Sequence, residues 1–105
     1  MSELETAVRY GINAVIVVNN NLALGQNKRG DDRAYEGYSG DPTELYAFAN
    51  VNLARLAEDM GCFGIQVEQP GQIEIALEQA LASGKPAVVE VLTDINGMPA
   101  LPWSP

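Results

Sequence analysis

The sequence predicts an α/β protein with a three-layer αβα architecture, in which a parallel sheet of about three strands lies between helices. Three short apolar runs, rich in β-branched residues, predict strands over residues 14–19, 63–67 and 87–92. Their almost continuous apolar character is typical of parallel strands that are covered on both faces. Stretches with helical spacing of apolar residues separate the runs, as expected where helices connect parallel strands.

The chain is small and acidic. Its 105 residues correspond to one small domain at most, and 47% of them are apolar, which is sufficient for a core. The net charge of −8 argues against nucleic acid and anionic membranes as partners, because both are bound through patches of Lys and Arg. No apolar run is long enough to span a membrane. Cys62 is the single cysteine, so no internal disulfide is possible and we expect a cytoplasmic location.

Histidine is absent from the chain. Its absence removes the usual general base, the Ser–His and Cys–His nucleophile pairs, and most zinc sites. Among metals, cations that prefer oxygen ligands, such as Mg²⁺ and Ca²⁺, remain.

The first half of the chain contains a helix, a strand and a long polar stretch. The helix is predicted over residues 2–10, with its apolar stripe at Leu4, Ala7 and Val8 and Gly11 as its end. The first strand leads directly into three asparagines. Residues 26–41 then read as a loop without secondary structure, and loops of this length are usually lids or disordered segments. We expect this loop to be mobile in the isolated chain.

Two more helices are predicted in the middle of the chain. Asp41 is a suitable N-cap, with Pro42 at the first helical position. The buried side of this helix is expected to contain Leu45, Phe48 and Ala49. Asn52 is predicted to cap the next helix, whose apolar positions are Leu53, Leu56, Ala57 and Met60 and whose end is Gly61.

The last helix and the tail complete the chain. Pro70 is predicted to open the helix and Gly84 to end it. Its predicted core stripe consists of Ile73, Ala76, Leu77, Ala80 and Leu81. Residues 93–105 contain several Gly and Pro residues and are expected to form an irregular tail, which Trp103 pins to a neighbouring surface.

The asparagines at the end of the first strand mark the expected site. Ligands of open α/β sheets bind just outside the carboxyl ends of strands, which places a site at residues 20–25. The simpler interpretation is a plain turn, because asparagine tolerates left-handed backbone and hydrogen-bonds its own chain.

Residues 17–25, Val-Val-Asn-Asn-Asn-Leu-Ala-Leu-Gly, are similar to the second half of the thiamine-diphosphate binding motif. Flanking residues 3–11, 53–61 and 84–91 extend the resemblance, which is closest to acetolactate synthase-like carboligases and decarboxylases. The Gly-Asp-Gly that forms the first half of the motif does not occur in this chain. The resemblance therefore implies that residues 1–105 are one partial domain, the C-terminal half to two-thirds of a thiamine-diphosphate (TPP) binding domain.

The resemblance also implies a set of site residues. Mg²⁺ would be bound by the side chain of Asn21 and the backbone carbonyl of Ala23, and the aspartate of the absent motif would be a further ligand. An amide and a carbonyl suit Mg²⁺, which prefers oxygen ligands and is commonly shared with phosphates. The cofactor-binding residues would be Asn21, Leu22, Ala23, Leu24 and Gly25, although the family often has Tyr or Trp at the position of Leu24. Asn19 is expected to end the strand with its side chain off the site.

The implied function is a reaction of small 2-oxo acids in which thiamine diphosphate carries the chemistry. No catalytic residue is assigned to this chain, because the glutamate that activates the cofactor belongs to another domain, in a partner subunit. The implied partners are the remainder of the enzyme and further copies in a homo-oligomer, and the isolated chain is expected to be inactive. The alternative is a non-catalytic small α/β domain that serves assembly or regulation.

Other polar residues have simpler interpretations. The basic residues of the loop could attract a phosphate or carboxylate, but a solvated loop face is preferred for Lys28, Arg29 and Arg33. The acidic residues Asp31, Asp32 and Glu36 lack the spacing of an EF-hand. Cys62 lies between a helix end and an apolar strand, which favours a buried hydrophobic residue over a reactive thiol.

Overall fold

The computed structural model describes residues 2–97 and contains a parallel sheet of three strands. These are β1 (Val15–Asn20), β2 (Phe63–Val67) and β3 (Ala87–Leu92). Their spatial order is β1-β3-β2, so the last strand in sequence occupies the centre of the sheet. Ala87 lies beside Val15 on one side and beside Phe63 on the other, and the carboxyl ends of all three strands meet at one edge.

Four α-helices accompany the sheet in the part of the chain that the structure describes. They are α1 (Ser2–Tyr10), α2 (Lys28–Ala34), α3 (Leu53–Asp59) and α4 (Ile73–Ala82), with single 3₁₀ turns at Pro42–Leu45 and Pro70–Gln72. Within residues 2–97, no helix is both long and apolar enough to cross a membrane.

The two faces of the sheet carry separate apolar clusters. Ala76 and Ala80 of α4 pack with Ala87 and Val89 on one face. On the other face Val88 packs with Leu4 of α1, Ala57 of α3, and Cys62. Side chains alternate along β3, because successive residues of a strand point to opposite faces. The predicted α/β class and its three-layer arrangement are confirmed.

Close packing of α3 on β2 depends on Gly64. A Cβ atom at Gly64 would overlap the backbone carbonyl oxygen of Ala54. Ala54 and Ala57 are also small and are both buried. These three residues let the first turn of α3 approach the sheet closely.

The expected burial of β1 on both faces is wrong. Ile16 is 42% exposed and Val17 is 54% exposed, whereas Ala87, Val88 and Val89 of β3 are at most 1% exposed. The physical reason is that β1 is an edge strand that α3 and α4 hardly cover; β2 is also an edge strand, but both helices pack on it and on β3.

Residues 26–41 are not a structureless loop, because they contain α2. Its first turn is supported by an ion pair between Lys28 and Asp32, four residues apart, with 2.7 Å between Nζ and Oδ2. The amides of Gly30 and Asp31 donate to the carbonyl of Asn27. No residue of α2 is buried. The mobility expected for this segment stays a prediction.

The helix expected after Asp41 is only a 3₁₀ turn. Asp41 does act as its N-cap, accepting a hydrogen bond from the amide of Thr43 at 2.9 Å. Leu45 and Phe48, expected on a buried side, are 50% and 57% exposed. The helix stops because Ala47 pairs in an antiparallel bridge with Ala23, which requires extended backbone.

The later elements follow the predictions closely. Asn52 caps α3 by accepting from the amide of Arg55 at 2.7 Å. In α4, Ala76 and Ala80 are buried as expected, but Leu81 is 72% exposed, so its place in the core stripe is wrong. Residues 93–97 form neither helix nor strand. The remainder of the predicted irregular tail, with Trp103, lies outside the described residues.

Candidate functional site

The three consecutive asparagines have three different sets of partners. The side chain of Asn19 accepts a hydrogen bond from the hydroxyl of Thr93, with 2.7 Å between the two oxygens. Asn20 points to the opposite face of the sheet, where its Nδ2 donates to Oε1 of Glu90 at 2.6 Å. Asn21 lies just beyond β1 and lines a cleft at the carboxyl edge of the sheet.

The backbone after β1 is shaped by these side chains. Oδ1 of Asn20 accepts from the amide of Leu22 at 2.9 Å, and Oδ1 of Asn21 accepts from the amide of Ala23 at 3.2 Å. Leu22 has a φ of +57°, a conformation that is unfavourable for a residue with a side chain. The asparagine side chains therefore hold a strained turn in place.

The segment after the turn is fixed by the bridge between Ala23 and Ala47. The amide of Leu24 donates to the carbonyl of Tyr46 at 2.7 Å, and the amide of Phe48 donates to the carbonyl of Leu22 at 2.8 Å. In this type of antiparallel pair, the peptide groups of the facing residues point away from the partner strand. The carbonyl of Ala23 is consequently not used by the bridge.

The cleft has a volume of about 650 Å³ and is lined by two segments of chain. Its walls are formed by Asn21, Gly25, Gln26, Lys28, Arg29, Ile95, Asn96 and Gly97. Gly25 leaves room for Asn21, because a Cβ atom at Gly25 would overlap the side-chain amide of Asn21 and displace it. Lys28 and Arg29, for which a solvated loop face was preferred, line this cleft together with Asn21.

The donor atoms at this cleft suit a magnesium diphosphate. A side-chain carbonyl oxygen has two lone pairs, so Oδ1 of Asn21 can accept from Ala23 and still face a cation. Mg²⁺ prefers oxygen ligands and usually keeps waters and phosphate oxygens in its shell. Residues 2–97 contain no group of three or more His, Cys, Asp and Glu side chains placed to hold a metal ion.

A polar triad ties α2 to the turn. Asp32 accepts from the ammonium of Lys28 and from the hydroxyl of Tyr46, at 2.7 and 2.9 Å. The hydrogen bond from Lys28, followed by that from Tyr46, holds the pKa of Asp32 below its usual value. The hydrogen bond to Asp32 raises the pKa of Lys28, and burial, followed by the bond to Asp32, raises the pKa of Tyr46. Because the carbonyl of Tyr46 accepts from Leu24, this triad couples α2 to the site.

A buried carboxylate lies beneath the turn, and the sequence reasoning missed it. Glu90 in β3 is fully buried, and no other described residue is a buried charged one. Its Oε2 accepts from the amide of Ala54 at 3.1 Å and from Nε2 of Gln66 at 3.0 Å, and its Oε1 accepts from Asn20. All three strands and the first turn of α3 therefore meet at this carboxylate.

The hydrogen bonds keep Glu90 ionised. Burial acts to raise the pKa of Glu90, but two backbone amides of α3 and the side chains of Asn20 and Gln66 together lower it below its ordinary value. The beginning of a helix also favours a negative charge. A signal for this residue was present in the sequence, since a glutamate interrupts the apolar run of residues 87–92. Its partners are 24 to 70 residues away along the chain, and only the fold identifies them.

Sequence comparison identifies the family of this chain. Residues 1–91 match the family described as thiamine pyrophosphate enzyme, C-terminal TPP binding domain. The chain belongs to the thiamine pyrophosphate enzymes and corresponds to sequence of their C-terminal TPP-binding domain. The resemblance drawn from the asparagine motif and its flanks is confirmed.

Individual relatives have different activities. The chain is 37% identical over 93 residues to 2-hydroxyacyl-CoA lyase of Arabidopsis thaliana, covering 88% of this chain. It is 37% identical over 82 residues to the acetolactate synthase large subunit of Haemophilus influenzae, covering 78% of this chain. It is 34% identical over 102 residues to the putative thiamine pyrophosphate-containing protein YdaP of Bacillus subtilis, covering 97% of this chain. The matched regions make up only 14–17% of these relatives.

Proposed function

We propose that this chain contributes part of the magnesium and diphosphate site of a thiamine-diphosphate-dependent enzyme of the acetolactate synthase type. It is, in this proposal, one partial domain, the C-terminal half to two-thirds of the TPP-binding domain. The observation that supports the proposal most directly is that Asn21 lines a cleft together with Lys28 and Arg29, on the strained turn whose next residues leave the carbonyl of Ala23 unused by the bridge to Ala47.

Each residue of the turn has a distinct role in this proposal. Oδ1 of Asn21 and the carbonyl of Ala23 would be ligands of Mg²⁺. Leu22, Leu24 and Gly25 would contact thiamine diphosphate, with Gly25 leaving room for the side chain of Asn21. Lys28 and Arg29 would offset the negative charge of the diphosphate, as cationic side chains at phosphate sites do.

The bound cofactor supplies a carbon nucleophile and an electron sink, which allows bonds next to the carbonyl of a 2-oxo acid to break and form. The described residues bind and orient it, and no catalytic residue is assigned to them. The remaining ligands and the proton-transfer groups would come from the rest of the enzyme, in a cytoplasmic homo-oligomer, and the isolated chain would be inactive.

A second candidate reaction is favoured by a specific observation. The relative from Arabidopsis thaliana is named a 2-hydroxyacyl-CoA lyase, and it is as similar in identity as the acetolactate synthase large subunit. In this proposal, cleavage of a 2-hydroxyacyl-CoA would use the same metal and cofactor site. Assaying the full-length protein with a small 2-oxo acid and with a 2-hydroxyacyl-CoA distinguishes the two reactions.

The metal site is tested by comparing two asparagine variants of the full-length protein. Asn21→Ala removes a proposed ligand and should weaken Mg²⁺-dependent binding of thiamine diphosphate by at least about 100-fold. Loss of a group that only supports a metal ligand typically costs about 10–100-fold in affinity, and loss of the ligand itself should cost at least as much. Asn19→Ala is the matched control, because the Asn19 side chain bonds to Thr93, and its affinity should stay near that of the unmodified protein. Isothermal titration calorimetry measures both. Equal effects of the two variants would show that the proposed ligand assignment is wrong.

A further inference from the structure

Glu90 is connected to the turn at the cleft through a single side chain. Oε1 of Glu90 accepts from Nδ2 of Asn20, which directs Oδ1 of Asn20 toward the amide of Leu22. That amide belongs to the residue with a φ of +57°. Leu22 lies between Asn21 and Ala23 in the sequence, so its conformation sets the placement of both.

The opposite side of the carboxylate is anchored to rigid structure. Oε2 accepts from the backbone amide of Ala54 in the first turn of α3, and from Gln66 in β2. Gly64 and Ala54 lie close together, so α3 cannot shift toward or away from the sheet without changing this bond. The contacts of Oε2 with α3 and β2 therefore fix the position of Glu90, and Glu90 in turn fixes the side chain of Asn20 at the turn.

In this series of hydrogen bonds, the backbone amides determine which side-chain atoms must donate and which must accept. A backbone amide is always a donor, so the atom of Glu90 that faces Ala54 must be an oxygen. The amide of Leu22 is also a donor, so the atom of Asn20 that faces it must be an oxygen. The other end of the Asn20 amide is therefore NH₂, and it requires an acceptor, which Oε1 of Glu90 supplies.

We propose that Glu90 is a positioning residue for the metal-binding turn: it fixes the amide orientation of Asn20, which holds Leu22 in its left-handed conformation and places Asn21 and Ala23 for the cation. The inference rests on the proposed function, since it assigns Glu90 to the same site. It adds a buried residue of the central strand, which does not line the cleft, to the groups that determine metal affinity.

The amide variant Glu90→Gln tests the polarity argument. Its single oxygen must face the amide of Ala54, so its NH₂ faces the NH₂ of Asn20. Asn20 then has to reverse its amide, and the amide of Leu22 loses its acceptor. We expect Mg²⁺ affinity, measured by calorimetry with thiamine diphosphate in the full-length protein, to fall by about 10- to 100-fold, the usual effect of losing an outer-shell partner. Hydrogen exchange of a peptide containing residues 20–25, followed by mass spectrometry without any cofactor, should become faster.

Exchanging the two groups should restore the turn. In the double variant Asn20→Asp with Glu90→Gln, the new amide in β3 donates its NH₂ to one oxygen of the new carboxylate in β1. The other oxygen of that carboxylate accepts from the amide of Leu22. The net charge of the chain is unchanged by this exchange. We expect the double variant to recover most of the affinity and the slow exchange, whereas Asn20→Asp alone brings two carboxylates together and loses both. Failure of the double variant to improve on either single variant would overturn the proposal.

A control separates positioning from general stability. Gln66→Leu removes a donor to Oε2 and leaves the bond between Glu90 and Asn20 intact. Mg²⁺ affinity should remain near that of the unmodified protein even if the melting temperature falls. If the loss of Mg²⁺ affinity in Gln66→Leu and in Glu90→Gln is proportional to the fall in their melting temperatures, Glu90 has only a structural role and the proposal is wrong. If Glu90→Gln does not fold, the comparison of Asn20→Asp with the double variant decides in the same way.

Asn21→Ala, measured in parallel, distinguishes the two proposals. Loss of Mg²⁺ affinity in Asn21→Ala together with normal affinity in Glu90→Gln would contradict the role of Glu90 alone. Normal affinity in Asn21→Ala would contradict the proposed function itself.

Discussion

The strands β1 and β3 lie side by side and have similar apolar sequences, but their surroundings differ completely. The four residues from Ala87 to Glu90 are at most 1% exposed, whereas no residue of β1 is buried. Each strand has six residues, and they pair over their full length. The difference arises because β3 lies at the centre of the sheet, where both α3 and α4 pack on it, whereas β1 lies at an edge that these helices hardly cover.

An apolar run therefore identifies a strand without determining how deeply that strand is buried. β1 carries two large apolar side chains, Ile16 and Val17, that are about half exposed. The chain matches only 14–17% of the length of its relatives, and we expect further parts of the enzyme to pack against β1. The proposed metal site lies at the end of this exposed strand, next to the buried one.

The largest difference in stability is expected between two variants that each introduce one charge, the first into β3 and the second into β1. Val89→Asp places an unpaired carboxylate in the core and should destabilise the fold by about 4 kcal/mol or more. Val17→Asp, on the exposed strand, should change the free energy of unfolding by about 0.5 kcal/mol or less. Urea unfolding of the 105-residue chain measures both values. Similar losses in the two variants would mean that β1 is covered in solution.

A smaller effect is expected at Gly64, on the other edge of the sheet. Gly64→Ala forces a methyl group against the carbonyl of Ala54 and should cost about 1–3 kcal/mol through overpacking. Gly71→Ala is the matched control, because nothing lies within 4 Å of a Cβ atom there. Thermal unfolding gives the melting temperature of each variant. Equal melting temperatures would contradict the close packing of α3 on β2.

The smallest effect concerns the pH dependence of stability. The buried strand β3 contributes to it through Glu90, whereas β1 has no titratable side chain. The pKa of Glu90 is lower in the folded protein than its ordinary value of 4.5. The stabilisation by its ionised form is therefore fully present above that value and is lost as the pH falls through the lower, folded pKa. Glu90→Gln should reduce the acid dependence of the unfolding free energy, measured in urea between about pH 3 and pH 6. An unchanged slope would show that Glu90 is not linked to folding in this way.

The sequence predicted strand positions well because the β-branched runs are local signals. It did not predict the exposure of Val17, which depends on strand order and on which strands the helices cover, or α2, whose helix contains Gly30 and few apolar residues. It indicated Asn21 through a family motif, and the role of that residue as a ligand stays a prediction. Glu90 could not be assigned partners, because Asn20, Ala54 and Gln66 meet it only after the layers have assembled.

Cys62 gives the chain a built-in probe of its own motion. Its Sγ lies 4.0 Å from the carbonyl oxygen of Leu4, and the residue is 6% exposed, so α1 covers the thiol. Burial raises the pKa of this thiol, which slows its reaction with any reagent that requires the thiolate. A thiol-labelling reagent should therefore react slowly in the folded protein, where Cys62 borders an open cleft beside Glu58 and Lys85, and faster when α1 separates from the sheet. In a chain with one cysteine, the labelling rate at increasing reagent concentration reports how often that layer opens, without introducing any foreign group beforehand.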